Sequence, residues 1–179
     1  VYPTAFVLNA VYSESLFLFL SLGVVYYARR QNFLLASILT ALASATRLAG
    51  LFLCVLLLAE FLQTYGWRSL FTRRVWPLTL APAGAMAFFF YHWVTFGEFF
   101  LYFRIQDNWG RDFNITATDY VIRNTPYLVN MVYDLSIAAM SIVVGIIAMK
   151  KVRPSYGLYM LVSLGAVLSS GTALAIPRY

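Results

Sequence analysis

The chain has 179 residues, 61% of them hydrophobic and 11% charged, with a mean hydropathy of +0.74. That mix excludes an ordinary soluble domain and implies an integral membrane protein. The net charge of +6 does not indicate nucleic acid, because the basic residues flank apolar runs instead of forming one patch, and the single cysteine, Cys54, excludes a disulfide framework or a cysteine-based metal site within the chain.

Runs of about 15 to 25 apolar residues predict an all-α fold, a polytopic membrane helix bundle of about six spans. Residues 1–179 read as part of one transmembrane domain. The stretch Ala10-Val11-Tyr12-Ser13-Glu14-Ser15 opens it, placing a carboxylate at the mouth of the first apolar run. An acid at the centre of a spanning helix costs roughly 2.5 to 3.5 kcal/mol, so Glu14 is expected at an interface or facing a polar cavity. Ser13 suits an N-cap and Glu14 the positive end of a helix, so a helix start and a functional role are both open.

The first span is read as Ser15 to Ala28, closed by Arg29-Arg30-Gln31-Asn32. The second runs from Phe33 to about Thr46 and the third from about Ala49 to Tyr65. A charged connector, Gly66 to Arg74, leads to a fourth span, about Val75 to Val94, bent at Pro77 and Pro82. The polar segment 95–125 is expected outside the membrane with an interfacial helix around Phe99 to Phe103. A fifth span, about Pro126 to Met149, and a sixth, about Tyr156 to Ala175, flank the turn Lys150-Lys151-Val152-Arg153.

With Val1 outside, eight basic residues fall in the three inner connectors and five on the outer side, while six of the seven acids, all but Glu60, lie outside or toward the outer leaflet. The chemistry is therefore expected on the non-cytoplasmic face. In the second span small residues recur every fourth position, Ser37, Ala41, Ala45, Ala49 and Ala36, Thr40, Ser44, which predicts a tight hairpin with the third span. About 14 residues of helix rise about 21 Å, less than the roughly 30 Å hydrocarbon core, so Arg47 at the hairpin tip is expected below the outer surface.

Arg47 is either an ion-paired helix-end arginine or an anion site, with Gly50 permitting close approach. Trp109 and Arg111 read as interfacial anchors or as a sugar-stacking ring beside polar groups. Asp134, about 12 Å into the fifth span, must be paired or line a cavity. His92 reads as a hydrogen-bonded interfacial residue, and one histidine makes no zinc site. Glu60 reads as interfacial or as a partner for Arg68, and Asn114-Ile115-Thr116 matches a glycosylation sequon.

Tyr2-Pro3-Thr4-Ala5-Phe6, Asn9 to Phe17, Ala28-Arg29-Arg30, Thr46-Arg47-Leu48-Ala49-Gly50 and Glu60-Phe61-Leu62, with Trp109-Gly110-Arg111 and Pro177-Arg178-Tyr179 later, resemble the PIG-V-like mannosyltransferases of the GT-C glycosyltransferase class. The likeness covers nearly the whole chain, and its first 50 residues are the specific part. It implies transfer of mannose or a related hexose from a polyprenyl-phosphate-linked donor to a glycan or glycolipid acceptor on the non-cytoplasmic face. It also implies that Tyr12, Ser13 and Glu14 line the site and makes Arg47 and Arg178 candidates for the donor phosphate, a role inferred for Arg47 from the need for a fixed cation at the departing phosphate. Residence would be the cell membrane in a prokaryote or the endoplasmic reticulum membrane in a eukaryote. No cofactor or metal is expected beyond the lipid-linked sugar.

The class keeps its catalytic acid in the first outer loop. This chain reads as a fragment that starts downstream of that loop, at Val1 without an initiator Met, and ends without a tail, so no residue here is assigned as the base. Other readings are an oligosaccharide ligase or aminoarabinose transferase of the same architecture, a membrane transporter, and a non-catalytic scaffold subunit.

Overall fold

The computed structural model describes residues 13–108 and 128–169, all of whose regular elements are helices. The chain divides into two compact units, Val1–Thr95 and Phe96–Tyr179.

The first unit is built on a helical hairpin. Helix α1, Glu14–Arg29, ends in a tight reversal in which Gln31 N–H donates to Ala28 O at 3.0 Å and Asn32 N–H to Tyr27 O at 3.0 Å. This pair of bonds is the Schellman arrangement, whose penultimate residue must adopt left-handed backbone geometry. Gln31 takes that place at φ 61°. Asn32 then caps helix α2, Phe33–Thr46, its Oδ1 accepting from Leu35 N–H at 3.2 Å. With so short a connection α2 must run back alongside α1.

The face between them follows the residue pattern. Leu20, Val24 and Ala28 recur every four residues on the buried stripe of α1. On α2 the buried positions include Ala36, Ser37, Thr40, Ala43 and Ser44, small side chains that let backbones approach closely. Thr40 satisfies its hydroxyl internally, donating to Ala36 O at 2.8 Å. Of the two predicted small-residue stripes, the one through Ala36, Thr40 and Ser44 is buried, whereas Ala45 and Ala49 are exposed. The helix most extensively apposed to α2 is α1, not the third span as expected. Asn32 explains the difference: it caps α2 directly after the reversal, while a separate turn intervenes before α3.

That turn is a 3-10 helix, Leu48–Leu51, which follows Arg47 in extended backbone geometry and leads into α3, Phe52–Tyr65. Gly50 lies against the backbone of Ala43 and Ser44, with no room for a side chain. Helix α3 buries Leu53, Leu56, Leu57, Glu60 and Phe61, and ends at Gly66, whose φ of 76° suits glycine. Ala28, Phe33, Ala36, Leu57, Phe61 and Ala81 form the core of the unit, with the Phe33 and Phe61 rings 5.2 Å apart edge to face.

The expected fourth span is not one helix. Two 3-10 segments, Trp67–Phe71 and Arg73–Leu80, precede α4, Ala83–Phe96, and Pro77 sits inside the second. Proline lacks an N–H and clashes with the preceding turn, so the α-helix starts only after Pro82. The first turn of α4 crosses α2 at Gly84, in contact with Ala41 O, where a Cβ would collide. Ser44 Oγ donates to Ala41 O at 2.9 Å and accepts from Ala85 N–H at 3.2 Å, so a side chain of α2 satisfies one of the N–H groups that α4 leaves open at its start.

In the second unit, α5 spans Leu101–Asn108, within the segment expected to hold an interfacial helix. The Arg104 to Glu98 ion pair there, 2.6 Å, is largely exposed and contributes about 0 to 1 kcal/mol. Helix α6, Leu128–Ile147, continues into a π-helical turn, Ala148–Val152. Arg153, in extended backbone geometry, separates that turn from α7, Pro154–Ser169. Proline suits the first helical position, where its missing N–H costs nothing. Helices α6 and α7 pack as a hairpin, and Gly157 meets Gly145 and Met149 so closely that a Cβ has no space.

Among the described residues two helices are long and apolar enough to cross a membrane: Leu48–Tyr65 and Leu135–Val152, each of 18 residues, with mean hydropathies of 1.8 and 1.9. Helix α2 is apolar but shorter, 14 residues.

Candidate functional site

Glu14 and Arg47 meet because the α1–α2 hairpin returns the end of the second helix to the start of the first. Glu14 is the first residue of α1, where the exposed N–H groups make the helix end positive. Arg47 is the C-cap of α2, next to carbonyls that make that end negative. Each charge therefore suits its own helix end before it meets the other. Arg47 N–H donates to Ala43 O at 3.0 Å, and Thr46 Oγ1 donates to the same carbonyl at 2.8 Å, which fixes the backbone from which the arginine extends.

Arg47 Nη1 donates to Glu14 Oε1 in an ion pair whose side chains are 41% and 30% exposed. At that exposure the pair is worth about 0 to 1 kcal/mol in water. Its chemistry lies in what it leaves open. Among the described residues, Nε and Nη2 of Arg47 make no hydrogen bond, so part of the guanidinium fork is available to an anion. Glu14 Oε2 is shielded from solvent and has no hydrogen-bond partner among the described residues. A shielded carboxylate oxygen without a donor costs free energy, and a hydroxyl or amide N–H placed there would recover it.

The other predicted residues divide as follows. Ser13 holds the N-cap position but makes no side-chain capping bond; its carbonyl accepts from Phe17 N–H at 2.9 Å, and the residue is exposed. Tyr12, Trp109, Arg111 and Arg178, with Asn114, lie outside the described residues. Asp134 falls on α6, in the other unit from Glu14 and Arg47, and its side chain is outside the described set. His92 is held within α4, Nδ1 lying 2.8 Å from Phe88 O and its ring 4.3 Å from that of Phe88. No group of three or more metal-ligating side chains comes together among the described residues.

Glu60 is buried, 1% exposed, on the stripe of α3 that also carries Leu53, Leu56, Leu57 and Phe61, and Arg68 stands exposed. Its spacing of four residues from Leu56 and three from Leu57 was the sequence signal for burial. Ser44 was singled out only as a small residue, yet its hydroxyl bridges two helices; nothing in its neighbourhood in sequence marks that role.

Comparison with protein-family models, with curated proteins and with solved structures gives no match to this chain.

Proposed function

We propose that the chain is the core of a multi-pass membrane glycosyltransferase of the GT-C, PIG-V-like kind, transferring mannose or a related hexose from a polyprenyl-phosphate-linked donor to a glycan or glycolipid acceptor on the non-cytoplasmic face. The observation that carries this reading is the Glu14–Arg47 pair with its unused hydrogen-bonding capacity: a cation with donors to spare beside a shielded acceptor oxygen. Transfer from a lipid phosphate needs both kinds of group, a fixed cation for the charge on the departing phosphate and an acceptor for a sugar or acceptor hydroxyl.

In this reading Arg47 binds the donor phosphate through the free part of its fork, and Glu14 Oε2 takes a hydrogen bond from a substrate hydroxyl. By the resemblance, Tyr12, Ser13, Trp109, Arg111 and Arg178 are further candidates for donor or acceptor binding and Asp134 for a further acid, each to be tested by substitution. The carboxylate that deprotonates the acceptor is assigned to no residue of this chain. About six spans cross the bilayer, with Arg29, Arg30, Arg68, Arg73, Arg74, Lys150, Lys151 and Arg153 on the cytoplasmic side, as the alternation of basic connectors supports. Helices of 16 and 14 residues, α1 and α2, rise about 24 and 21 Å, less than a bilayer core of roughly 30 Å, which supports a Glu14–Arg47 end recessed below the outer rim.

The test is donor dependence in proteoliposomes holding the full-length protein. Labelled mannose should pass to acceptor from the polyprenyl-phosphate donor and not from a nucleotide sugar alone; transfer from the nucleotide sugar without any lipid donor refutes the reading.

A further inference from the structure

The end of the first unit opposite the Glu14–Arg47 pair holds a cleft of about 500 Å³ between the α1–α2 turn, the end of α3 and the Arg73–Leu80 segment. Arg30, Gln31 and Asn32 line one side, and Tyr65, Arg74 and Trp76 the other. Both arginines are already held in place by aromatic rings, Arg30 Cζ standing 4.8 Å from the Tyr26 ring and Arg74 Cζ 5.4 Å from the Tyr65 ring. A cation held over a ring keeps its N–H edge for an anion. Neither has a carboxylate partner among the described residues.

The wider charge distribution points the same way. Between residues 13 and 95 the acids are Glu14, engaged at the far end with Arg47, and Glu60, buried at 1% exposure. Arg29, Arg30, Arg68, Arg73 and Arg74 therefore face no exposed carboxylate of this unit. Around them, Trp67, Phe71 and Trp76 are 69%, 89% and 55% exposed, large rings of the kind that settle in the headgroup layer. A cleft with two ring-stacked guanidinium groups, amide side chains and an exposed aromatic rim fits the phosphodiester of a lipid headgroup better than a free solute, which would have no use for the rim.

We infer that this cleft binds the headgroup phosphate of an anionic phospholipid of the cytoplasmic leaflet, Arg30 and Arg74 gripping the phosphate while Trp76 lies against the upper acyl or glycerol part. The inference uses the membrane orientation given above and is independent of the transferase chemistry, since its readout is lipid binding at the opposite end of the unit.

The experiment is native mass spectrometry of the full-length protein in detergent, titrated with phosphatidylglycerol and with phosphatidylcholine of the same acyl chains. Phosphatidylglycerol should bind preferentially. The double variant Arg30→Gln, Arg74→Gln should bind it about 25-fold more weakly, from roughly 5-fold for each basic group removed. Arg68→Gln with Arg73→Gln removes the same charge from the same face outside the cleft and should cost no more than a few-fold. Should the first variant fold poorly, Arg74→Lys, which keeps the charge and loses the two-pronged grip, should still weaken binding several-fold. Equal losses in the two double variants, equal binding of the two lipids, or displacement of the lipid by inorganic phosphate at matched concentration would each overturn the inference.

Discussion

Arg47, at the C-terminal end of α2, donates through Nη1 to Glu14 Oε1 at the N-terminal end of α1, across 33 residues of sequence. The contact depends on one short reversal at Arg30, Gln31 and Asn32, which sends α2 back along α1. Glu14 and Arg47 thus serve the fold as a clasp, and any chemical use of them is superimposed on that role.

The clasp and the chemistry separate on charge exchange. Glu14→Gln and Arg47→Gln should each lower thermal stability slightly, with a coupling between them of about 0 to 1 kcal/mol in a double-mutant cycle. Glu14→Arg combined with Arg47→Glu should regain at most part of the stability, because each charge then opposes its helix end. Transfer activity should stay lost in the exchanged protein. Recovery of activity along with stability would reduce the pair to a structural contact.

Gln31 is the one non-glycine residue with positive φ among the described residues, at 61°. A side chain in that region costs roughly 1 to 2 kcal/mol, partly offset because glycine loses more chain entropy on folding. Gln31→Gly should raise the unfolding temperature, by a net gain of up to about 1 kcal/mol. A lower melting temperature would mean that Gln31 does not hold that left-handed geometry in the turn.

Two glycine positions should respond in opposite ways. Gly84→Ala drives a Cβ into the Ala41 carbonyl and should destabilise by about 1 to 3 kcal/mol. Gly165→Ala, on α7 with nothing within 4 Å of the new Cβ, should be neutral or stabilising by up to about 1 kcal/mol. Thermal unfolding in one detergent compares them directly, and similar effects at both sites would show that α2 and α4 do not cross where described.

Orientation is checked at the two ends of one helix. In a Cys54→Ser background, a cysteine at Ser13 should react with an impermeant thiol reagent from the non-cytoplasmic side only, and one at Asn32 from the cytoplasmic side only. Both positions are exposed, so burial does not confuse the readout. Labelling of both from one side would invalidate the arrangement of spans.

Much of the helical layout was legible because apolar runs and their breakers are local signals. Phe33–Thr46 begins after a capping asparagine and ends at an arginine, and both limits were readable. Val75 to Val94 was misread as one bent helix, since hydropathy does not register that prolines at 77 and 82 delay the α-helix to Ala83. That Glu14 and Arg47 lie at one end of the unit was accessible from topology, because the start of one helix and the end of the next share an end of any antiparallel hairpin. What sequence could not supply was register: that Ser44 reaches Ala85 N–H, or that Arg30 and Arg74 line one cleft, depends on how segments about 40 residues apart are brought together.

In the proposed reaction Arg47, steadied by Glu14, holds the phosphate of a lipid-linked sugar. The most direct test of that role is the dependence of transfer on polyprenyl-phosphate donor concentration in the full-length protein carrying Arg47→Ala, with folding verified by thermal unfolding. The donor KM should rise about 10-fold or more, as expected for loss of charge-assisted hydrogen bonds worth about 1.5 to 3 kcal/mol, with acceptor KM nearly unchanged. A folded Arg47→Ala protein with the donor KM of the parent would contradict that role.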